Sequence, residues 1–211
     1  MNIQSLLTSP PFDDALHLQR FLKGLGYYSG ALDGTIGPLS KAGLVRQQEV
    51  SAGIAEAFGS FDARSEREIV TLHPEVQRLC RGFLAALRTA RIDARVLCGM
   101  RSYAQQDALY RQGRTAPGRI VTRAAGGRSL HNFGLAFDIG LFAGGKYLEN
   151  TLPYQDAAGI GKRMGLDCGA FWTTFVDLPH YQLNHLPTLT LIRKRFEAGF
   201  PLLQPSPGEK S

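Results

Sequence analysis

The sequence predicts an α+β protein, with a small helical N-terminal module followed by a larger domain built on a short, mainly antiparallel sheet flanked by helices. Three observations carry that expectation. Stripes of helical period alternate along the chain with short runs of strand period. The opening segment is punctuated by glycine turns, while the remainder holds the longer apolar patterns. The composition is that of an ordinary globular chain, with 44% apolar and 20% charged residues among 211. No internal repeat is present.

In the first segment, Asp13 and Asp14 precede a helical pattern with Leu18, Leu22 and Leu25 on one face. Gly24 and Gly26 break it, and Tyr27-Tyr28-Ser29-Gly30 and Asp33-Gly34 read as turns. Gly37-Pro38 opens a second helix that runs through Leu44 and Val45 towards Gln48, with proline in its first turn. Residues 49–62 are rich in Ala, Gly and Ser and read as a short helix or linker. A boundary near residue 60 divides the chain into 1–60 and 61–211.

From Pro74, Val76, Leu79, Cys80, Phe83, Leu84 and Leu87 form one apolar helical stripe. Arg95 to Gly99 reads as a short buried strand, and Tyr103 to Arg111 as a helix. Pro117-Gly118 and Gly126-Gly127 punctuate a loop of about 18 residues, a length that is usually functional. In Phe133 to Ile139, Leu135, Phe137 and Ile139 alternate with Gly134, Ala136 and Asp138. That pattern predicts a strand with one apolar face and one face of small residues and a carboxylate. Tyr154 to Met164 reads as a helix, and Phe175 to Leu183 as a final strand carrying Asp177 and His180.

The formal net charge of +6 suits polyanions such as nucleic acid, anionic lipid or an anionic cell wall, and does not choose among them. No nucleic-acid-binding motif is recognisable. No apolar run is long enough to span a bilayer, so membrane insertion is not expected. Met1 to Phe12 lacks the basic region and apolar core of a secretory signal, so synthesis in the cytoplasm is expected. Cys80, Cys98 and Cys168 are odd in number and widely spaced, which predicts free thiols rather than disulfides or a cysteine zinc site.

The chemistry concentrates in Ser129 to Asp138. His131 follows a glycine-rich loop, and Asp138 shares a strand face with Gly134 and Ala136, whose small side chains leave room for an ion. An imidazole nitrogen and a carboxylate oxygen are both normal zinc ligands. Pro179 disfavours helix at Leu178, and a bend there could aim both Asp177 and His180 at one spot. Three protein ligands with a fourth position for water is how catalytic zinc is built. A carboxylate beside that water serves as general base, and Asp177 is the natural candidate.

Ser129 to Asp138, together with Asp177-Leu178-Pro179-His180-Tyr181-Gln182, resembles the M15 metallopeptidases. Gly99-Met100-Arg101-Ser102, Gln105-Gln106 and Leu109 to Thr115 extend the likeness, which runs from about Ser65 to Gln182. It is nearest to the L-alanyl-D-glutamate endopeptidases of phage endolysins and bacterial wall hydrolases. The resemblance implies Zn2+ held by His131, Asp138 and His180, with Asp177 as catalytic base. It also implies that Arg101 and Ser129 hold substrate or the developing oxyanion; the guanidinium is permanently charged and its fork fits either.

Related chains carry a Gly-Gly-Asp-Trp stretch before the last strand, where this one has Cys168-Gly169-Ala170-Phe171-Trp172. The departure leaves the metal site untouched and bears on substrate preference along that wall of the cleft. D-alanyl-D-alanine dipeptidases and carboxypeptidases share the zinc pattern and form the alternative, although Asp177 and Pro179 favour the endopeptidase branch. Residues 10 to 50, with Leu18-Gln19, Leu25 to Gly30 and Asp33 to Pro38, resemble a peptidoglycan-binding three-helix module. A non-catalytic wall-binding protein using both modules is a further alternative. The resemblance implies bacterial peptidoglycan as the partner, reached after release by a holin or another export route, and a monomer is expected.

Overall fold

The computed structural model describes residues 3–149 and 151–203. The helices are α1 (Ile3–Leu7), α2 (Ala15–Gly24), α3 (Pro38–Phe58), α4 (Ala63–Ile69), α5 (Pro74–Thr89), α6 (Tyr103–Arg111), α7 (Thr151–Arg163) and α8 (Leu189–Ala198). The strands are β1 (Asp93–Cys98), β2 (Ala136–Ala143), β3 (Lys146–Tyr147), β4 (Leu166–Cys168) and β5 (His180–Leu183). The sheet runs β1-β2-β5-β4 with every pairing antiparallel, and β3 pairs with β2 off that path. The expected α+β class is what folds. Among the described residues no helix is long and apolar enough to cross a membrane.

The strand period gives the sheet two unlike faces. Val96, Phe137, Ile139, Leu141, Tyr181, Leu166 and Cys168 are buried in the common core with the α5 stripe of Val76, Cys80, Phe83, Leu84 and Leu87. The rings of Phe83 and Tyr181 lie 4.6 Å apart, and Phe137 stacks on Tyr181 at 5.7 Å. Helix α5 starts where the sequence expects, with Pro74 in its first turn and His73 Nδ1 accepting from the Glu75 amide at 3.3 Å. The opposite face presents Ala136, Asp138, His180, Gln182 and Asp167, which face each other in register across β2, β5 and β4.

Several boundaries differ from the sequence reading, three of them by enough to need a physical account. Residues 49–58 are not a linker but the second half of α3, which continues to Phe58 and stops at Gly59. Alanine is the strongest helix former, and Ala52, Ala55 and Ala57 carry the helix past the single Gly53. The last strand begins at His180, not Phe175; Asp177 sits in the loop before it, where Pro179 bends the chain. The strand expected from Phe133 begins at Ala136, because Leu130–Phe133 is a 3₁₀ turn closed by Gly134 at a φ of 66°. That left-handed conformation costs glycine little.

The helices of residues 1–60 share the apolar core of the rest. Leu18, Phe21, Leu22 and Leu44 belong to the same buried cluster as Phe133 and Phe196. His17 is buried between the rings of Phe196 at 4.8 Å and Tyr103 at 5.4 Å, and burial pushes its pKa down to about 4. Gln47 donates to the carbonyls of Val70 and Leu72 at 3.0 and 3.3 Å. Buried Arg81 donates to Gly59 O at 2.9 Å and pairs with Glu66 at 2.7 Å, joining the end of α3 to α4 and α5.

Candidate metal centre

Register builds the centre. Asp138 on β2 lies directly opposite His180 on β5, so their side chains rise from the same sheet face. His131 reaches them from the 3₁₀ turn Leu130–Phe133. The turn is fastened to the loop after β1: the Arg101 amide donates to His131 O at 3.0 Å, and Asn132 Nδ2 donates to Arg101 O at 3.0 Å. Asn132 Oδ1 accepts from the amides of Gly127 at 3.0 Å and Ser129 at 3.3 Å, which anchors the end of the long loop.

Three atoms converge. His131 Nε2 is 3.1 Å from Asp138 Oδ1 and 3.1 Å from His180 Nδ1, and His180 Nδ1 is 3.2 Å from Asp138 Oδ1. The far nitrogens of both rings are engaged: His131 Nδ1 donates to Gly99 O at 2.7 Å, and His180 Nε2 donates to Gln182 Oε1 at 3.0 Å. With those protons placed, both inner nitrogens turn lone pairs towards the carboxylate oxygen. Three acceptors so close repel one another unless a cation lies among them. Tetrahedral zinc bonds of about 2.0–2.1 Å to nitrogen and oxygen correspond to ligand separations of roughly 3.3 Å, close to those seen. The donor set therefore fits a zinc ion.

Cys98, His131 and Asp138 also offer ligand atoms within 4.8 Å of one another. Cys98 Sγ, however, lies 4.0 Å from His131 Nδ1, the nitrogen already occupied by Gly99 O. Burial pushes the Cys98 thiol up to about 12, whereas metal binding requires a thiolate. The set of His131 Nε2, Asp138 Oδ1 and His180 Nδ1 fits better.

Electrostatics follow from this packing. Burial alone would raise the Asp138 carboxyl, but the two imidazoles outweigh it and hold it well below the usual range. Burial lowers His131. It would lower His180 as well, yet the bonds to Asp138 and Gln182 leave that ring raised. Asp177 is raised, first by burial and then by the Asp138 charge, with His180 and Arg101 opposing.

A cleft of about 590 Å³ opens at the centre, and Arg101, Ser129, His131, Asp177 and His180 all line it. Every residue singled out from the sequence is thus at this cleft or, for Asp138, within the triangle of atoms beside it. Asp177 is held by its main chain, its amide donating to Gly169 O and its carbonyl accepting from the His180 amide, at 3.0 and 3.1 Å. A side chain at Gly169 would collide with the Asp177 carbonyl, so the tight loop needs glycine there. The Arg101 guanidinium comes within 3.9 Å of Asp138 Oδ2, too far for a hydrogen bond, and its Nε has no partner among the described residues. Ser129 lines the wall beside His131.

The cleft also holds residues to which the sequence reading gave no role. Trp172 packs its ring 5.0 Å from that of His180, and Arg123 lies over the Phe175 ring at 4.9 Å. Gln182 and Asp167 extend the polar face beyond His180. The available signal was strand period: His180 and Gln182, two apart in a strand, point the same way.

A helix-flanked antiparallel sheet with a His-Asp-His cluster at an open cleft defines a candidate hydrolytic metal centre. The family model described as VanY, D-alanyl-D-alanine carboxypeptidase, matches residues 69–159. The peptidoglycan L-alanyl-D-glutamate endopeptidase CwlK of Bacillus subtilis (strain 168) is 36% identical over 122 residues, spanning 53% of this chain and 73% of that protein. A crystal structure of the Serratia marcescens L-Ala D-Glu endopeptidase ChiX matches with 29% identity and a TM-score of 0.47, over 59% of this chain and 89% of that one. The chain belongs to the VanY family of M15 peptidases.

Proposed function

We propose that this protein is a zinc-dependent peptidase that hydrolyses the L-alanyl-D-glutamate bond in bacterial peptidoglycan stems. The observation that carries the reading is the triangle of His131 Nε2, Asp138 Oδ1 and His180 Nδ1 at a cleft that Asp177 and Arg101 also line. The bond is taken from the similarity to an L-alanyl-D-glutamate endopeptidase.

Zinc on those three atoms would polarise the scissile carbonyl and lower the pKa of a water to about 7. The chain's own groups do the rest. Asp177 takes a proton from the attacking water, whose oxygen bonds to the carbonyl carbon. The same proton then passes to the amine as the carbon–nitrogen bond breaks. A carboxylate with a raised pKa is the stronger base and takes that proton from the water more readily. Arg101, with an unpartnered Nε, is available to hold the oxyanion or a substrate carboxylate.

The test is mass analysis of fragments released from purified peptidoglycan. New amino termini at D-glutamate are expected, and a chelator should abolish their release. Loss of only the terminal D-alanine would instead favour the carboxypeptidase reading that the family model's description raises. An unchanged wall would contradict both.

A further inference from the structure

We infer that Asp167 is a positioning residue: acting through Gln182, it fixes which nitrogen of His180 carries the proton and so which faces the metal. The inference rests on the reading of His131, Asp138 and His180 as metal ligands. Its evidence is a continuous chain of hydrogen bonds. His180 Nε2 meets Gln182 Oε1 at 3.0 Å, Gln182 Nε2 donates to Asp167 Oδ2 at 2.7 Å, and Trp172 Nε1 donates to Asp167 Oδ1 at 3.0 Å.

Only one assignment of this chain is chemically consistent. A carboxylate accepts and cannot donate, so Gln182 must turn its NH2 group towards Asp167. Its carbonyl oxygen then faces His180, and that oxygen also cannot donate. His180 Nε2 must therefore carry a proton, and in the neutral ring Nδ1 is left with its lone pair. Nδ1 is the atom that lies 3.1 Å from His131 Nε2 and 3.2 Å from Asp138 Oδ1.

The backbone enforces the chain. Asp167 and Gln182 are direct cross-strand partners between β4 and β5, while Asp138 and His180 are direct partners between β2 and β5. The carboxylate at 167 is thus locked in register two residues along from the ligand that it orients. Trp172 satisfies the second carboxylate oxygen and also forms part of the cleft wall. Its bond holds Asp167 in place without touching the Gln182 end.

Asp167→Asn tests the assignment in the full-length protein. An asparagine can offer its NH2 to Gln182, which allows the glutamine amide to flip and present its own NH2 to His180. That flip favours a proton on Nδ1 and removes the lone pair from the metal side. Zinc affinity, measured by competition with a chromophoric chelator, should fall about 10- to 100-fold. Asp167→Glu, which keeps the carboxylate, should recover part of the loss. A parent-like zinc affinity in Asp167→Asn would overturn the inference.

Nitrogen-15 spectra of the His180 ring in the parent, recorded without metal above the imidazole titration, test it independently of any variant. A proton on Nε2 is expected; a proton on Nδ1 with a bare Nε2 would overturn the inference. Neither measurement uses peptidase activity. A protein that binds zinc in this way yet leaves peptidoglycan uncut would sink the proposed function and leave the role of Asp167 standing.

Discussion

His131→Ala should lose zinc and peptidase activity together, falling from stoichiometric metal to trace and from turnover to background. The ring is fully buried and supplies one of the three inner donors. Alanine leaves Asp138 and His180, and two ligands do not make the three-ligand site that catalytic zinc requires. The Gly99 carbonyl also loses the imidazole that caps it at 2.7 Å. Elemental analysis alongside a thermal melt separates loss of metal from loss of fold. A folded variant with stoichiometric zinc would show that the ligand sphere lies elsewhere.

Asp177→Asn should keep zinc and fold while kcat falls about 10²- to 10⁴-fold, the scale of general base catalysis. The substitution preserves shape and both main-chain bonds that hold the loop. No described residue hydrogen-bonds the carboxyl oxygens, so a proton is the partner that asparagine can no longer take. Burial and the Asp138 charge raise this carboxyl, which brings it nearer to the acid–base work assigned to it. Near-parental turnover would remove Asp177 from the mechanism. Loss of zinc would make it a fourth ligand.

The site was legible in the sequence to the extent that residue type and local spacing determine it. His131, Asp138, Asp177 and His180 are unusual donors placed beside turns and small residues, and the structure brings His131, Asp177 and His180 to one cleft with Asp138 against the two histidines. The α5 stripe was legible because its 3.6-residue period continues over four turns. The second half of α3 was not, because alanine and glycine together suit a linker as well as a helix, and Ser51 and Ile54 become informative only once buried.

The chain from His180 to Asp167 was hidden for another reason. It depends on the register between β5 and the three-residue β4, and nothing local to Asp167 marks it as a partner of Gln182. The relation of residues 1–60 to the rest was hidden in the same way. His17 packs on Phe196 from the far end of the chain, and no periodic pattern links the two. The shared core means that removing residues 1–60 would expose Phe196 and the α5 surface that α3 covers.

X-ray absorption at the zinc edge of the loaded full-length protein tests the central claim most directly. His131 Nε2, Asp138 Oδ1 and His180 Nδ1 supply only nitrogen and oxygen. The account therefore predicts a first shell at about 2.0–2.1 Å with two imidazoles and no sulfur. A zinc–sulfur distance of about 2.3 Å would place the ion on the Cys98 side of the His131 ring and contradict the account.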